Sequence, residues 1–191
     1  MQAPLLLAST SKYRAERLAS LGLSFKQAAP HCDESPLPGE SPDALALRLA
    51  QTKAQSLSND FPNHLIIGSD QTAAAPDGSL LSKPGTAERA CAQLLACSGK
   101  SVVFYSGVAL AGAIEDAWLV TTEVCFRTLT RAEVERYVAA EQPLDCAGSF
   151  KAEALGITLF DWIRSDDPNA LIGLPLISLA QRLRQAGHSL P

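Results

Sequence analysis

A serine-rich segment with one arginine, Ser9-Thr10-Ser11-x-x-Arg14, is the first group of residues in this chain that could bind a ligand. It follows the apolar run Leu5 to Ala8 and opens a helical pattern. Free N–H groups at a helix start, serine hydroxyls and a guanidinium can converge on one anion. A serine N-cap followed by a solvated arginine is the alternative, and capping frequency alone favours it.

Acidic and lysine side chains form a second set with possible chemistry. Carboxylates can hold a hard divalent cation and lysines can hold phosphates, although each such charge alone is usually a solvated surface group. Asp70 is the exception, because it directly follows the apolar run 65–69 and α/β proteins bind ligands at the carboxyl ends of strands. The set comprises Asp33, Glu34, Glu40, Lys53, Asp70 and Lys83.

Other kinds of site have little support. The Walker A, G-x-G-x-x-G and G-x-S-x-G patterns are absent, and the three histidines are far apart in the sequence. A net charge of −4 argues against nucleic-acid binding, and no apolar stretch is long enough to span a membrane. Five cysteines without a CxxC pair, and no secretory leader before them, predict reduced thiols and a cytoplasmic location.

The elements that must position these residues alternate between strands and helices, which predicts an α/β fold in one domain covering 1–191. A helix is expected from Pro42 to about Leu57, with Ser41 as its N-cap, and it carries Lys53. The runs 102–110 and 119–126 are expected to form a long hairpin, and 157–163 a further strand.

Taken together, these residues resemble the Maf family of nucleoside triphosphate pyrophosphatases over essentially the whole length. The resemblance rests on the order and spacing of several short motifs. They are Leu7-Ala8-Ser9-Thr10-Ser11-x-x-Arg14, Asp33-Glu34, Leu49-Ala50-x-x-Lys53-Ala54, Ile67-Gly68-Ser69-Asp70-Gln71, Lys83-Pro84, Ala147-Gly148 and Gly173-Leu174-Pro175.

The resemblance implies a fold, an activity and a set of site residues. The implied fold is that of the Maf and ITPase-like proteins, a twisted mixed sheet flanked by helices with two lobes around a cleft, and a homodimer is expected. The implied activity is hydrolysis of a nucleoside triphosphate to the monophosphate and diphosphate, with Mg²⁺ or Mn²⁺. Asp70 is then the base, Glu34 and Asp70 hold the metal, and the phosphate-binding residues are Ser9, Ser11, Arg14, Lys53 and Lys83.

Within the family the chain is most similar to the subgroup that acts on 7-methyl-GTP, on the strength of Ser69-Asp70-Gln71 and Cys146-Ala-Gly-Ser-Phe-Lys-x-Glu153. A methylated guanine is positively charged, which favours an aromatic face and a carboxylate that accepts from the guanine edge. Tyr13, Gln71 and Glu153 are therefore the candidate specificity residues, although Tyr13 could equally pack against the first helix. A dTTP/UTP pyrophosphatase and a non-catalytic nucleotide or phosphate sensor remain the alternatives.

Overall fold

The computed structural model describes residues 2–191 and contains six strands and five α-helices within that range. In chain order they are β1 (Leu5–Ala8), α1 (Lys12–Ala19), β2 (Phe25–Ala28), α2 (Pro42–Gln55), β3 (Leu65–Ala74), α3 (Ala87–Cys97), β4 (Ser101–Ala111), β5 (Asp116–Phe126), α4 (Arg131–Glu141), β6 (Phe160–Ser165) and α5 (Leu176–Gln185). Three short 3₁₀ segments cover Ala147–Ser149, Leu155–Leu159 and Ala170–Ile172.

The strands form one mixed sheet in the order β2-β1-β3-β4-β5-β6. Strand β1 runs parallel to both β2 and β3, whereas β6 is antiparallel to β5. The α/β fold with a mixed sheet is therefore confirmed. The expected hairpin is also present, as β4 and β5 are neighbours joined by residues 112–115. No helix among residues 2–191 combines the length and apolarity needed to cross a bilayer.

The chain divides into two compact units. Unit 1 comprises Met1–Gln71, Tyr105–Val120 and Asp167–Pro191, and unit 2 comprises Thr72–Phe104 and Thr121–Asp166. Strands β3, β4 and β5 contribute residues to both units. That residues 1–191 act as one domain remains a prediction.

In unit 1, β1 and the part of β3 beside it are buried on both faces, which explains their nearly continuous apolar sequence. Alternate residues such as Leu7 and Ile67 pack with Leu18 of α1 and with the apolar face of α5. The residues between them, such as Leu6 and Ile66, pack against α2. The two-residue period of the strands thus places helices on both sides of the sheet.

The core of unit 2 contains a cluster of phenylalanines. Phe104, Phe126, Phe150 and Phe160 meet edge to face, with ring centroids 4.8 to 5.8 Å apart. Gly148 adopts φ 75°, and a Cβ there would lie 2.9 Å from the Phe104 ring. Glycine at this position therefore satisfies both the left-handed turn and the close packing of the cluster.

Two local predictions are wrong, and a third holds only in part. Strand β3 does not end at Ser69 but continues to Ala74, because Thr72, Ala73 and Ala74 are small enough to stay buried in the sheet. The residues 157–159 are 3₁₀ and not strand, and the Thr158 hydroxyl donates to the Leu155 carbonyl there at 2.7 Å. The Ser41 side chain makes no capping hydrogen bond, although α2 begins at Pro42 as expected.

Helix α2 approaches β3 so closely that only glycine fits at residue 68. A Cβ on Gly68 would lie 2.2 Å from the Ala50 carbonyl oxygen and 2.6 Å from the Ala54 nitrogen. Gly68→Ala should lower the free energy of unfolding by about 3 kcal/mol, the upper end of the range for overpacking, because backbone atoms cannot rotate away. Urea denaturation measures this loss.

Gly39→Ala is the matched control for that prediction. Its Cβ would meet nothing within 4 Å, so only the strain of its positive φ (75°) remains, about 1 kcal/mol. Equal losses in the two variants would contradict the assigned close approach of α2 to β3.

Candidate active site

The centre of the candidate site in unit 1 is a lysine held between two carboxylates. The Lys53 ammonium donates to Asp70 Oδ1 at 2.6 Å and lies 2.8 Å from Glu34 Oε1. Lys53 is only 4% exposed and Asp70 only 7% exposed. Two charges this deeply buried are costly unless they are paired, so the contact between Lys53 and Asp70 stabilises both.

The close approach at Gly68 explains how Lys53 reaches Asp70. Ala50 and Ala54 bring the α2 backbone against β3, and Lys53 directly precedes Ala54. The parallel register pairs Ala8, the last residue of β1, with Gly68. Asp70 therefore lies inside β3 but two residues beyond the end of β1, where β1 stops and its neighbour continues.

The segment Ser9–Arg14 joins the same cluster. Ser9 is buried, and its hydroxyl oxygen accepts from the Ser11 N–H at 3.1 Å and from Arg14 Nη1 at 3.4 Å. The Ser11 hydroxyl accepts from the Arg14 N–H at 3.4 Å, so Ser11 is the N-cap of α1. The cap alternative thus holds for Ser11, but Arg14 is not a solvated side chain.

Arg14 is held in place by two neighbours in addition to Ser9. Its Nε donates to the Gly173 carbonyl at 3.1 Å, and its Nη2 lies 3.9 Å from Asp70 Oδ1. Burial lowers the pKa of the Arg14 guanidinium, while the charges of Asp70 and Glu34 oppose that change. The guanidinium remains charged, since arginine does not lose its proton in proteins. A fixed cation therefore sits beside the buried carboxylate.

Two groups that support this arrangement were missed in the sequence. Gln27 of β2 donates its amide to the Ser9 carbonyl at 2.7 Å, which fixes the turn after β1. The Gly173 carbonyl accepts from Arg14 and also from the Ser69 hydroxyl at 3.2 Å. The parallel pairing of β1 with β2 could have indicated Gln27, but a backbone carbonyl distant in sequence leaves no comparable signal.

The loop that carries Glu34 is attached to α2 by a separate ion pair. Arg48 Nε donates to Glu40 Oε1 at 2.6 Å, and Arg48 Nη2 donates to Glu40 Oε2 at 2.8 Å. Arg48 Nη2 also donates to the Ser35 carbonyl at 3.1 Å. Both Glu40 oxygens are thus engaged by Arg48, and Glu40 anchors the loop that carries Glu34.

This anchor predicts sensitivity to acid. Hydrogen bonds from Arg48 lower the pKa of Glu40 to about 2 from an ordinary value of 4.5. The stabilisation is therefore present above about pH 4.5 and is lost as the pH falls toward about 2. Glu40→Gln should flatten the decrease in the free energy of unfolding between pH 5 and pH 2, measured by urea denaturation at about five pH values.

Glu16→Gln, which changes an exposed glutamate of α1, is the control for the acid experiment. In this variant the free energy of unfolding should fall between pH 5 and pH 2 as steeply as in the unmodified protein. If Glu40→Gln behaves like Glu16→Gln, the Glu40 to Arg48 pair does not anchor the loop.

The Gln71 side chain turns toward the segment 170–171 of unit 1. Its Nε2 donates to the Ala170 carbonyl at 2.8 Å and lies 3.1 Å from both the Leu171 carbonyl and the Ser106 hydroxyl. The Ser106 hydroxyl itself donates to the Ala170 carbonyl at 2.7 Å. Gln71 thus orders the segment that leads to Gly173 and so to Arg14.

The remaining predicted residues, Tyr13, Lys83 and Glu153, are exposed. Tyr13 lies in the first turn of α1, between Ser11 and Arg14, and is 36% exposed. Lys83 is exposed in the segment between β3 and α3, and Glu153 is exposed in a turn before the second 3₁₀ segment; both belong to unit 2. The cluster of described side chains in unit 1 therefore contains Ser9, Ser11, Arg14, Glu34, Lys53 and Asp70.

The turn that carries Glu153 is well supported within unit 2. The Lys151 N–H donates to the Tyr137 hydroxyl at 3.1 Å, and the Leu155 N–H donates to Glu141 Oε2 at 3.1 Å. Lys151 Nζ also donates to the Glu141 carbonyl at 3.0 Å. The C-terminal end of α4 thus fixes both ends of the turn.

No group of three or more His, Cys, Asp or Glu residues suited to a metal occurs within 2–191. Glu34 and Asp70 are a pair of carboxylates that converge on one cation, the Lys53 ammonium. Oxygen donors are those that Mg²⁺ prefers, and Mg²⁺ is commonly bound by one or two carboxylates together with substrate phosphates. The donor set therefore fits a divalent metal that is shared with a phosphate ligand. All five cysteines are free.

The chain is similar to known proteins over nearly its whole length. The family model described as Maf-like protein matches residues 4–186. A protein of Xanthomonas campestris pv. campestris (strain 8004), named 7-methyl-GTP pyrophosphatase, is 55% identical over 100% of both chains. A Pseudomonas putida protein of the same name is 52% identical over 98% of this chain and 99% of its own.

A solved structure resembles the whole fold. The HAM1 protein from Coxiella burnetii superimposes with a TM-score of 0.55 and covers 96% of this chain and 99% of its own. Its sequence identity is 16%, so the likeness concerns the fold alone. It confirms the expected kind of α/β architecture.

Proposed function

This chain belongs to the Maf family, and from that membership we propose that it hydrolyses 7-methyl-GTP to 7-methyl-GMP and diphosphate. Full-length relatives at 55% and 52% identity carry the name 7-methyl-GTP pyrophosphatase, in agreement with the sequence-based prediction. The structural observation that carries the proposal is the buried contact of Lys53 with Asp70 and Glu34, beside Arg14.

The charged side chains at the centre of the proposed site have no net charge. Lys53 and Arg14 balance Asp70 and Glu34, so the cluster by itself cannot offset the several negative charges of a triphosphate. Ser9 and Ser11, at the start of α1, add hydroxyl groups and a favourable helix dipole. Lys83 is proposed to add a further cation. A divalent metal would neutralise the negative charge of the triphosphate that these residues leave uncompensated.

Glu34 and Asp70 are the residues that we propose to hold Mg²⁺ or Mn²⁺. When bound, the cation neutralises charge on the phosphates and polarises the bond to be broken. Lys53 and Arg14 then stabilise the negative charge that develops on the phosphate oxygens. Both side chains are buried or nearly so, and cations in a site of low dielectric act more strongly than they would in water.

Asp70 is the proposed general base. Its Oδ1 is fixed by Lys53, and its Oδ2 takes part in none of the contacts described above. A water that donates to this carboxylate would pass its proton to Asp70 as the water oxygen attacks the α-phosphorus. The bond to the bridging oxygen of the β-phosphate then breaks, and diphosphate leaves. No covalent intermediate is needed. A purely anion-binding sensor would gain nothing from a buried carboxylate at this position, which favours an enzyme over a sensor.

We propose that recognition of the nucleotide's base involves Tyr13, Glu153 and Gln71. The exposed Tyr13 ring can cover the cationic methylated guanine, and Glu153 can accept from N1–H and the 2-amino group. Gln71 is proposed to act through the segment 170–173 that it orders. The homodimer and the cytoplasmic location remain predictions from the sequence.

The substrate proposal is tested by kcat/KM for 7-methyl-GTP, GTP, UTP and dTTP, with Mg²⁺ or Mn²⁺ present. The ratio between substrates isolates base recognition from phosphate chemistry. Glu153→Gln should lower the preference for 7-methyl-GTP over UTP by about 5- to 150-fold, the equivalent of about 1 to 3 kcal/mol for one mispaired hydrogen bond. Turnover of UTP should be unaffected.

Three results would change this assignment. An unchanged ratio in Glu153→Gln would remove Glu153 from base recognition. A preference for UTP or dTTP in the unmodified protein would favour the other pyrophosphatase subgroup. Tight binding of nucleotides without any hydrolysis would favour the sensor.

A further inference from the structure

The Lys53 ammonium contacts both Asp70 and Glu34, the two carboxylates that we propose to hold a divalent cation. Its ammonium lies 2.6 Å from Asp70 Oδ1 and 2.8 Å from Glu34 Oε1. Divalent cations bind carboxylate oxygens at about 2.0 to 2.6 Å. Both oxygens thus already contact one cation, and that cation belongs to the chain itself.

We infer that Lys53 is an internal counter-cation that competes with the metal for Asp70 and Glu34 and leaves this pair when the metal enters. The inference rests on the proposed metal pair and concerns the order in which the site is filled. An ammonium and a divalent ion cannot share this space, because their positive charges repel and their positions overlap. Metal binding to the nucleotide-free protein must therefore break both lysine contacts.

The residues around Lys53 permit this exchange. The lysine side chain is a flexible four-carbon stem. The Glu34 side chain is 57% exposed and belongs to a loop, so one partner of Lys53 can move without disturbing the core. Asp70, by contrast, is fixed in β3. The buried carboxylate thus stays in place while the lysine and Glu34 adjust.

The displaced Lys53 ammonium would be able to bind the phosphates of the substrate. It remains beside the segment Ser9–Arg14, where the phosphates are proposed to bind. Phosphates that attract Lys53 would free the carboxylates for the metal, and a bound metal would free Lys53 for the phosphates. By linkage, each ligand should strengthen binding of the other. The exchange also keeps the two carboxylates neutralised before the ligands arrive.

Mn²⁺ binding to the nucleotide-free protein tests this inference directly, with the electron paramagnetic resonance signal of free Mn²⁺ as the readout. Lys53→Met should lower the Kd for Mn²⁺ about tenfold or more, since the metal no longer displaces hydrogen bonds to charged groups. Lys26→Met, at an exposed lysine of β2, is the matched control and should change Kd less than twofold. The double variant Lys53→Met with Asp70→Asn should not show the tighter Mn²⁺ binding expected of Lys53→Met alone. That result would place the metal at Asp70.

A second measurement uses the unmodified protein and so does not depend on a variant folding. Reductive methylation followed by mass spectrometry should label Lys53 slowly, and saturating Mn²⁺ should raise its labelling rate at least about fivefold, since the ammonium becomes free. Lys26 in the same sample should be unaffected.

Unchanged or weaker Mn²⁺ binding in folded Lys53→Met would overturn the inference, as would unchanged or reduced labelling of Lys53. Neither measurement involves turnover, so each can fail while hydrolysis of 7-methyl-GTP stands. Tighter binding in a protein without hydrolytic activity would uphold the exchange and reject the proposed function.

Discussion

Asp70→Asn should lower kcat for 7-methyl-GTP by about 10²- to 10⁴-fold, the contribution typical of a general base. Asparagine keeps the shape of the side chain but cannot accept a proton from water, and it also weakens the proposed metal pair. The measurement is steady-state release of diphosphate, with circular dichroism to confirm that the variant is folded.

Asp60→Asn is the matched control, as it removes an exposed carboxylate from the same unit. It should retain the kcat of the unmodified protein. If folded Asp70→Asn turns over at nearly the unmodified rate, Asp70 is not the base.

Removing divalent metal with EDTA should abolish hydrolysis, and adding Mg²⁺ or Mn²⁺ in excess should restore it. Lys53 and Arg14 are already balanced by Asp70 and Glu34, so the site without a metal lacks the positive charge that a triphosphate demands. The rate is followed after exhaustive dialysis, with a titration of each metal. Full activity in metal-free buffer would contradict the proposed role of the metal.

Much of the site was predictable because its residues lie at recognisable junctions of strand and helix. Ser9, Ser11 and Arg14 open α1 directly after β1, and Asp70 follows a run of buried apolar residues. Lys53 falls on a helix whose start was marked by Pro42. Local patterns of this kind depend on short-range geometry, and short-range geometry is what a sequence encodes most directly.

The end of β3 was not predictable in the same way. Polar residues after an apolar run predict a strand end, yet Asp70 and Gln71 continue the strand because tertiary partners compensate for their burial. Lys53 neutralises Asp70, and backbone carbonyls accept from Gln71. The polar character of Asp70 thus indicated a functional residue correctly, but it also led to the wrong prediction that the strand ends there.

The neighbours of Arg14 were also beyond the reach of local patterns. The Gly173 carbonyl lies 159 positions away in the chain, and a carbonyl carries no residue-type signal. Burial of Arg14 follows from the fold of unit 1 as a whole, and its sequence context alone favoured a solvated side chain. Similarly, only the approach of α2 to β3 at Gly68 explains why Lys53 reaches Asp70.

The most direct test of the central claim is the identity of the products formed from 7-methyl-GTP. Purified protein is incubated with 7-methyl-GTP and Mg²⁺ or Mn²⁺, and the products are resolved by ³¹P nuclear magnetic resonance and chromatography, with Asp70→Asn in parallel. The expected result is 7-methyl-GMP and diphosphate in equal amounts, and almost no product from Asp70→Asn. Formation of 7-methyl-GDP and orthophosphate, or recovery of intact 7-methyl-GTP from the unmodified protein, would contradict the account.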